Sequence, residues 1–363
     1  MSSALWNPIA VGDLNLSNRL TMAPMTRGRS TPEGAPTELN AEYYAQRASH
    51  GLIITEGTQP SADGQGYLLT PGIYTREHIA GWRKVADAVH AAYGQLVIQL
   101  MHVGRISHPD NTPHGRQPVA PSAIKPAGDM YTSTGPQEMP VPRELSTAEV
   151  AATVDDFRGA AAAAIAAGAD GVEIHGANGY LVHQFLSSNA NQRTDQYGGS
   201  IESRIRFTVE VATAVAEEIG AGRTGIRLSP GNPFKLGDVT ESDTRELYPA
   251  LVQALAPLNL AYLHLAHGGD ENLLRTLREL WPTALILNRA GTDIATRAKD
   301  IEDGLADVIA VGAQSLANPD LPERIRADAP LNAPNPETFY GFYGAGAMGY
   351  TDYPTLDASA ASA

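Results

Sequence analysis

Arg19-Leu20-Thr21-Met22-Ala23-Pro24-Met25-Thr26 is the stretch whose reading decides the fold. Its apolar first half has the length of a short buried strand, and the residues after that strand separate two architectures. An open, doubly wound sheet places a Gly-rich nucleotide turn directly after its first strand. Here the strand runs into Ala23-Pro24-Met25-Thr26, which contains no glycine. Outward from this point, strand candidates recur at 19–23, 51–55, 95–100, 171–174, 225–228, 261–265, 284–287 and 307–311. Helical patterns alternate with them at 38–49, 76–92, 148–167, 201–219, 243–256, 271–280, 294–303 and 321–327. Eight such pairs without a nucleotide turn predict an α/β fold, a TIM (β/α)8 barrel with residues 1–363 as a single domain.

Helix starts carry capping chemistry. Ser146 with Glu149 forms a capping box, and Thr240 or Ser242 is expected to cap the helix holding Tyr248. One connection is out of scale. About forty residues, 103–143, rich in Pro, His and Gly, separate the third strand from its helix, a length typical of a functional lid. On a barrel this lid would lie over the C-terminal face. A tail, 330–363, comes after the last helix.

Composition narrows the function classes. The net charge is −14, from 26 basic and 40 acidic residues, which argues against nucleic acid or anionic membrane as a partner. A phosphate-bearing ligand must then be held by local donors. There are 0 cysteines, which excludes disulfides, a thiolate nucleophile and thiolate zinc sites. With no secretory pattern at the N-terminus and no long apolar run, a cytoplasmic protein is expected.

On a barrel, only residues at the C-terminal strand ends converge on one ligand. Polar groups gather there: Thr26, Glu56, Gln99 and His102, then Arg227, Asn288 and Arg289. The small residues Ala290-Gly291 and Gly312-Ala313 suit a phosphate approached by backbone N–H groups. The fourth strand is the most informative, because His175, Asn178 and Tyr180 lie within six residues. A neutral donor pair polarises a carbonyl or nitro oxygen, and a nearby phenol donates a proton. A rival reading uses Glu173, His175 and His102 as metal ligands of a hydrolase. No HxH or HExxH pattern supports it, and no metal is expected.

The chain resembles the Old Yellow Enzyme family of FMN-dependent ene-reductases along essentially its full length. The blocks that carry the resemblance are Asn18-Arg19-Leu20-Thr21-Met22-Ala23-Pro24-Met25-Thr26-Arg27, Glu42-Tyr43-Tyr44-Ala45-Gln46-Arg47-Ala48 and His102-Val103-Gly104-Arg105. Gly171-Val172-Glu173-Ile174-His175-Gly176-Ala177-Asn178-Gly179-Tyr180, Asn191-Gln192-Arg193-Thr194-Asp195-Gln196-Tyr197-Gly198-Gly199 and Gly349-Tyr350-Thr351-Asp352-Tyr353-Pro354 complete them. The resemblance implies bound FMN, NADPH or NADH as a transient reductant, and alkenes activated by carbonyl, imide or nitro groups as substrates. Nitrate esters or nitroaromatics would be side substrates, and the protein would be a monomer or homodimer.

It also implies roles by position. Ala23, Pro24, Met25 and Gly57 would line the flavin, Thr26 would bond its O4, and Gln99 would reach its pyrimidine edge. Arg227 would stand near N1 and O2. His175 and Asn178 would hold the substrate oxygen, and Tyr180 would give a proton to the α-carbon. Tyr67 and either Tyr340 or Tyr343 would wall the substrate.

Three positions depart from the family pattern. Gly312-Ala313 stands where many relatives have Gly-Arg or Gly-Lys, whose cation holds the FMN phosphate; Arg289 is the expected replacement. Met101 stands where many carry an aromatic residue, which reshapes the substrate pocket. Phe339-Tyr340-Gly341-Phe342-Tyr343-Gly344 duplicates a single Phe-Tyr-Gly, so two tyrosines compete for one role.

Overall fold

In a computed structural model of the chain, which describes residues 3–234, 236–341 and 346–356, eight parallel strands close into a barrel. They are β1 (Leu20–Met22), β2 (Leu52–Ile54), β3 (Leu96–Leu100), β4 (Gly171–Gly176), β5 (Thr224–Leu228), β6 (Tyr262–Ala266), β7 (Ala284–Asn288) and β8 (Val308–Val311). Each strand pairs with the next, and β8 pairs with β1. The outer helices are α1 (Glu38–Ala45), α2 (Arg76–Ala91), α3 (Thr147–Ala166), α4 (Ile201–Ile219), α5 (Thr244–Leu255), α6 (Glu271–Leu280), α7 (Ile294–Glu302) and α8 (Leu321–Arg326). The expected α/β barrel is thus observed.

Strand alternation divides the core. Val172 and Ile174 of β4, Ile226 and Leu228 of β5, and Leu263 and Leu265 of β6 join the large cluster that includes helix residues such as Phe157 and Phe207. The alternate residues Leu52, Ile54, Val97, Tyr262, Ile286 and Val308 form a second, smaller cluster. Fully burying each such aliphatic side chain contributes roughly 1.5–3 kcal/mol. The N-terminal hairpin Ile9–Val11 and Leu14–Leu16 adds Val11, Leu14 and Leu16 to this second cluster. Its turn residue Gly12 has φ +58°, and a Cβ there would lie 2.4 Å from Gly222 O, so only glycine fits.

Higher in the barrel, register puts polar residues side by side. Glu173 pairs with Gln99, His175 with Arg227, and Arg227 with His264. Sequence patterns predict no regular structure across 103–143. Instead, Asp129–Thr132 and Gly135–Glu138 form an antiparallel hairpin, and Val119–Ala120 pairs with Arg143–Glu144.

The Ser146–Glu149 capping box is present. Neither Thr240 nor Ser242 caps α5: the N-cap is Asp243, whose carboxylate is drawn away by Arg204. Among the described residues no helix is long and apolar enough to cross a membrane.

Candidate active site

A cavity of about 1420 Å³ opens among the C-terminal strand ends. A single small-molecule pocket has roughly 300–1,000 Å³, so this cavity exceeds the usual size for one small ligand. Ala23, Pro24, Met25 and Thr26 line it from the β1 loop, and Gly57, Gln99 and Met101 from the ends of β2 and β3. His175, Asn178, Tyr180 and Arg227 join them from β4 and β5, with Tyr67 from the β2–α2 connection. Ala290, Gly291, Gly312 and Ala313 wall the far end. Met101 packs where Gly57 has no side chain, since a Cβ at Gly57 would fall 2.4 Å from Met101 Sδ.

The lid hairpin reaches the same space through Met130 and Tyr131. At the other rim stands Tyr340. Of the two tyrosines that compete for the substrate wall, Tyr340 lines the cavity, and Tyr343 lies outside the described residues.

Three polar side chains gather at the β4 end. His175 is buried, and burial, then the charge of Arg227, pushes its pKa well below 6.5, so the ring is neutral. Its Nδ1 accepts the Ala177 N–H at 3.3 Å, which leaves the ring proton on Nε2 as the free donor. Asn178 sits at φ +57°, a left-handed conformation that asparagine tolerates, and its N–H donates to Ser229 Oγ at 2.8 Å. Its side-chain oxygen is buried without a partner among the described residues.

Tyr180 is 7% exposed and precedes the short helix Leu181–Leu186. Burial, then Tyr67, pushes its phenol well above 10, so it carries its proton at neutral pH. The two phenol oxygens are 3.0 Å apart, and burial pushes Tyr67 up to about 12. The Tyr180 ring stands edge-on to the His175 ring, with centroids 5.0 Å apart.

Beside these groups lie two buried ionisable side chains, Glu173 and Arg227. Glu173 accepts from Gln99 Nε2 at 2.7 Å and from His264 Nδ1 at 2.8 Å. Burial opposes its ionisation, but His264, Arg227 and Gln99 outweigh burial and hold its carboxyl below the usual range. Arg227 thereby keeps a buried negative partner while lining the cavity, and its Nε has no hydrogen-bond partner among the described residues. A cation and an amide edge, set in a mostly apolar wall, fit a planar, polar-edged ring such as that of FMN. Among the described residues no group of three His, Asp or Glu side chains is placed to hold a metal ion.

Two hydrogen-bonded supports stand behind these residues. Glu56 accepts the N–H groups of Arg27 and Gly28, each at 2.9 Å, which orders the β1 loop behind Thr26. Behind Tyr180, His183 Nδ1 accepts the Gly179 N–H at 3.0 Å, and its Nε2 donates to Glu241. Glu241 also accepts Tyr248 O–H at 2.5 Å and the Gly231 N–H at 3.0 Å. The His183 and Glu241 side chains are fully buried, so this pair ties the Tyr180 loop to the loop after β5. Leaving a buried hydrogen-bonding group without its partner costs about 1–3 kcal/mol, so Glu241→Ala, which strips the acceptor from His183, Tyr248 and Gly231, should lower stability by at least that much in urea unfolding. Glu241→Gln, which keeps an acceptor, should lose less; equal losses would show that hydrogen bonding at this position contributes nothing.

One expectation is corrected at the far end. Arg289 does not line the cavity. Its guanidinium makes charged hydrogen bonds to Glu271, at 2.6 and 3.1 Å, and to Asp300, at 2.8 and 3.0 Å. Two carboxylates hold it away from the space between the loops after β7 and β8.

The chain is similar to known proteins along most of its length. Residues 4–332 match the NADH:flavin oxidoreductase / NADH oxidase family. The "Probable flavin mononucleotide-dependent alkene reductase" of Leishmania infantum is 43% identical over 358 residues, covering 96% of each chain. The 12-oxophytodienoate reductase 1 of Oryza sativa subsp. japonica is 43% identical over 369 residues, 97% of this chain and 93% of that protein. Morphinone reductase in complex with tetrahydroNAD superposes with a TM-score of 0.93 at 44% identity, covering 99% of both chains. The Old Yellow Enzyme homologue from Zymomonas mobilis superposes with a TM-score of 0.92 at 38% identity, covering 97% of this chain and 99% of that one. On barrel, cavity and relatives together, the chain belongs to the NADH:flavin oxidoreductase / NADH oxidase family and is an FMN-dependent oxidoreductase of the Old Yellow Enzyme type.

Proposed function

We propose that this protein is an NAD(P)H-fed alkene reductase acting on carbon–carbon double bonds activated by a carbonyl, imide or nitro group. The observation that carries this reading is the convergence of His175, Asn178 and Tyr180 on one largely apolar cavity. When bound and reduced by NAD(P)H, FMN supplies a hydride for the β-carbon of such an alkene. His175, through Nε2–H, and the Asn178 amide bind the activating oxygen and stabilise the negative charge it gains. Tyr180 holds its proton on Oη for the α-carbon, so one hydride and one proton together saturate the bond. Arg227 presents a fixed positive charge, balanced by Glu173, to the ring edge. Tyr67 sets the direction of the Tyr180 hydroxyl by hydrogen bonding. Enones, enals, maleimides and nitroalkenes carry the required oxygen; nitrate esters and nitroaromatics are candidate side substrates.

The test is anaerobic. The yellow protein should bleach on adding NADPH or NADH and regain its colour on adding 2-cyclohexenone. Bleaching that no enone, maleimide or nitroalkene reverses would leave a flavin protein without this activity. A protein that binds no flavin would overturn the flavin reading as well.

A further inference from the structure

We propose that Arg297 is the cation that holds the FMN phosphate in this chain, an inference that rests on the flavin reading above. Barrels commonly place a phosphate between the loops after strands seven and eight. Here those loops present Gly291, where a Cβ would meet nothing within 4 Å, and Gly312 beside Ala313. Backbone N–H groups can approach a phosphate there, but neither loop brings a cation of its own to the wall. The overall charge of −14 repels a phosphate dianion, and Asp293, which also lines this end, adds to that repulsion. A cation must offset both.

Arg297 meets the geometric requirements. It stands in the first turn of α7, is 6% exposed, and lines the cavity at this end. Its Nε donates to Thr292 O at 3.1 Å, in the loop after β7, and its Nη1 to Ala310 O at 2.6 Å, in β8. One carbonyl from each side fixes the plane of the guanidinium between the two loops. Nη2 has no hydrogen-bond partner among the described residues, and no carboxylate there forms an ion pair with this side chain. A buried arginine whose charge is unpaired is costly unless an anion completes it.

The other arginines nearby are committed elsewhere. Arg289 is occupied by Glu271 and Asp300. Arg324 lines the cavity, but its Nε, Nη1 and Nη2 are bound by Asp320, Pro330 O and Pro354 O. Asp293 is engaged as the cap of α7, accepting from Thr296 N and Oγ1, and Asp300 is bound by Arg289; both act on Arg297 only through space, with no hydrogen bond to its guanidinium.

The test compares FMN with riboflavin, which has the same ring and no phosphate. Flavin binding to the full-length, flavin-depleted protein is measured by fluorescence quenching. Arg297→Gln should weaken FMN binding about 10- to 100-fold, the scale of one hydrogen bond to a charged group, and leave riboflavin binding unchanged. FMN affinity that ignores the substitution would overturn the proposal and leave the flavin reading intact. Equal losses for both flavins would also overturn it, by showing damage to the fold. Should that variant not fold, Arg297→Met, which keeps an apolar stem without the charge, takes its place: FMN binding alone should weaken, and an FMN affinity equal to that of the unaltered protein would overturn the proposal.

Discussion

Replacing Tyr180 with phenylalanine should slow alkene reduction by about 10²–10⁴-fold, the usual contribution of a positioned general acid. Bleaching of the flavin by NAD(P)H should be spared, because hydride arrives from the nicotinamide without a proton from Tyr180. Stopped-flow measurement of each half-reaction decides, and equal losses in both would remove Tyr180 as proton donor. The pKa shift adds a second readout with a definite sign. Tyr180 acts in its neutral form, and burial, then the neighbouring Tyr67, moves its pKa well above 10. A raised pKa keeps the acid form, so activity from this group is complete at low pH and is lost only as pH rises through the raised value. Between about pH 6 and about pH 9 the alkene half-reaction should therefore show no decline traceable to a phenol. A decline in that window that disappears in Y180F would contradict the burial argument.

His175→Leu should also lower alkene reduction, by about 10²–10³-fold, the cost of removing one preorganised donor to a developing oxyanion. The two substitutions should differ in pattern. If the nicotinamide occupies the substrate's place in the cavity, H175L impairs both half-reactions, whereas Y180F impairs one. The structure gives H175L a clean interpretation. His175 is neutral and offers only Nε2–H to the cavity, and its Nδ1 accepts the Ala177 N–H. Restoring a donor with His175→Asn should recover part of the lost rate. Recovery no better than leucine would mean that packing, and not the N–H, is what the ring contributes.

How much of the site is legible in the sequence depends on how far apart the interacting residues lie in the chain. Strand rhythm and helical patterns are local, and β4 with its successor residues 177–180 is readable because His175, Asn178 and Tyr180 are near neighbours in sequence. The start of α5 is not, because no side chain caps it: the Asp243 carboxylate is held by Arg204, thirty-nine positions earlier in the chain. The lid hairpin at Asp129–Thr132 and Gly135–Glu138 gives no sequence signal because its second strand, Gly-Pro-Gln-Glu, lacks apolar alternation. Its pairing is made by backbone hydrogen bonds, which leave little trace in residue type. The Glu241 support for the Tyr180 loop is equally hidden, since its partner His183 is fifty-eight residues away.

By itself the sequence determined the barrel and the gathering of His175, Asn178 and Tyr180 at the end of the fourth strand. These rest on periodicity and on short spacings that any folded form must keep. Tertiary structure alone decided which charges are free to act. Arg289 and Arg297 belong to one short segment, and nothing local distinguishes them as phosphate ligands. Folding surrounds Arg289 with Glu271 and Asp300, and leaves Arg297 pinned by two carbonyls at the cavity wall. The physical reason is that a side chain's charge is useful only after its partners are counted, and those partners are brought together by the closed barrel.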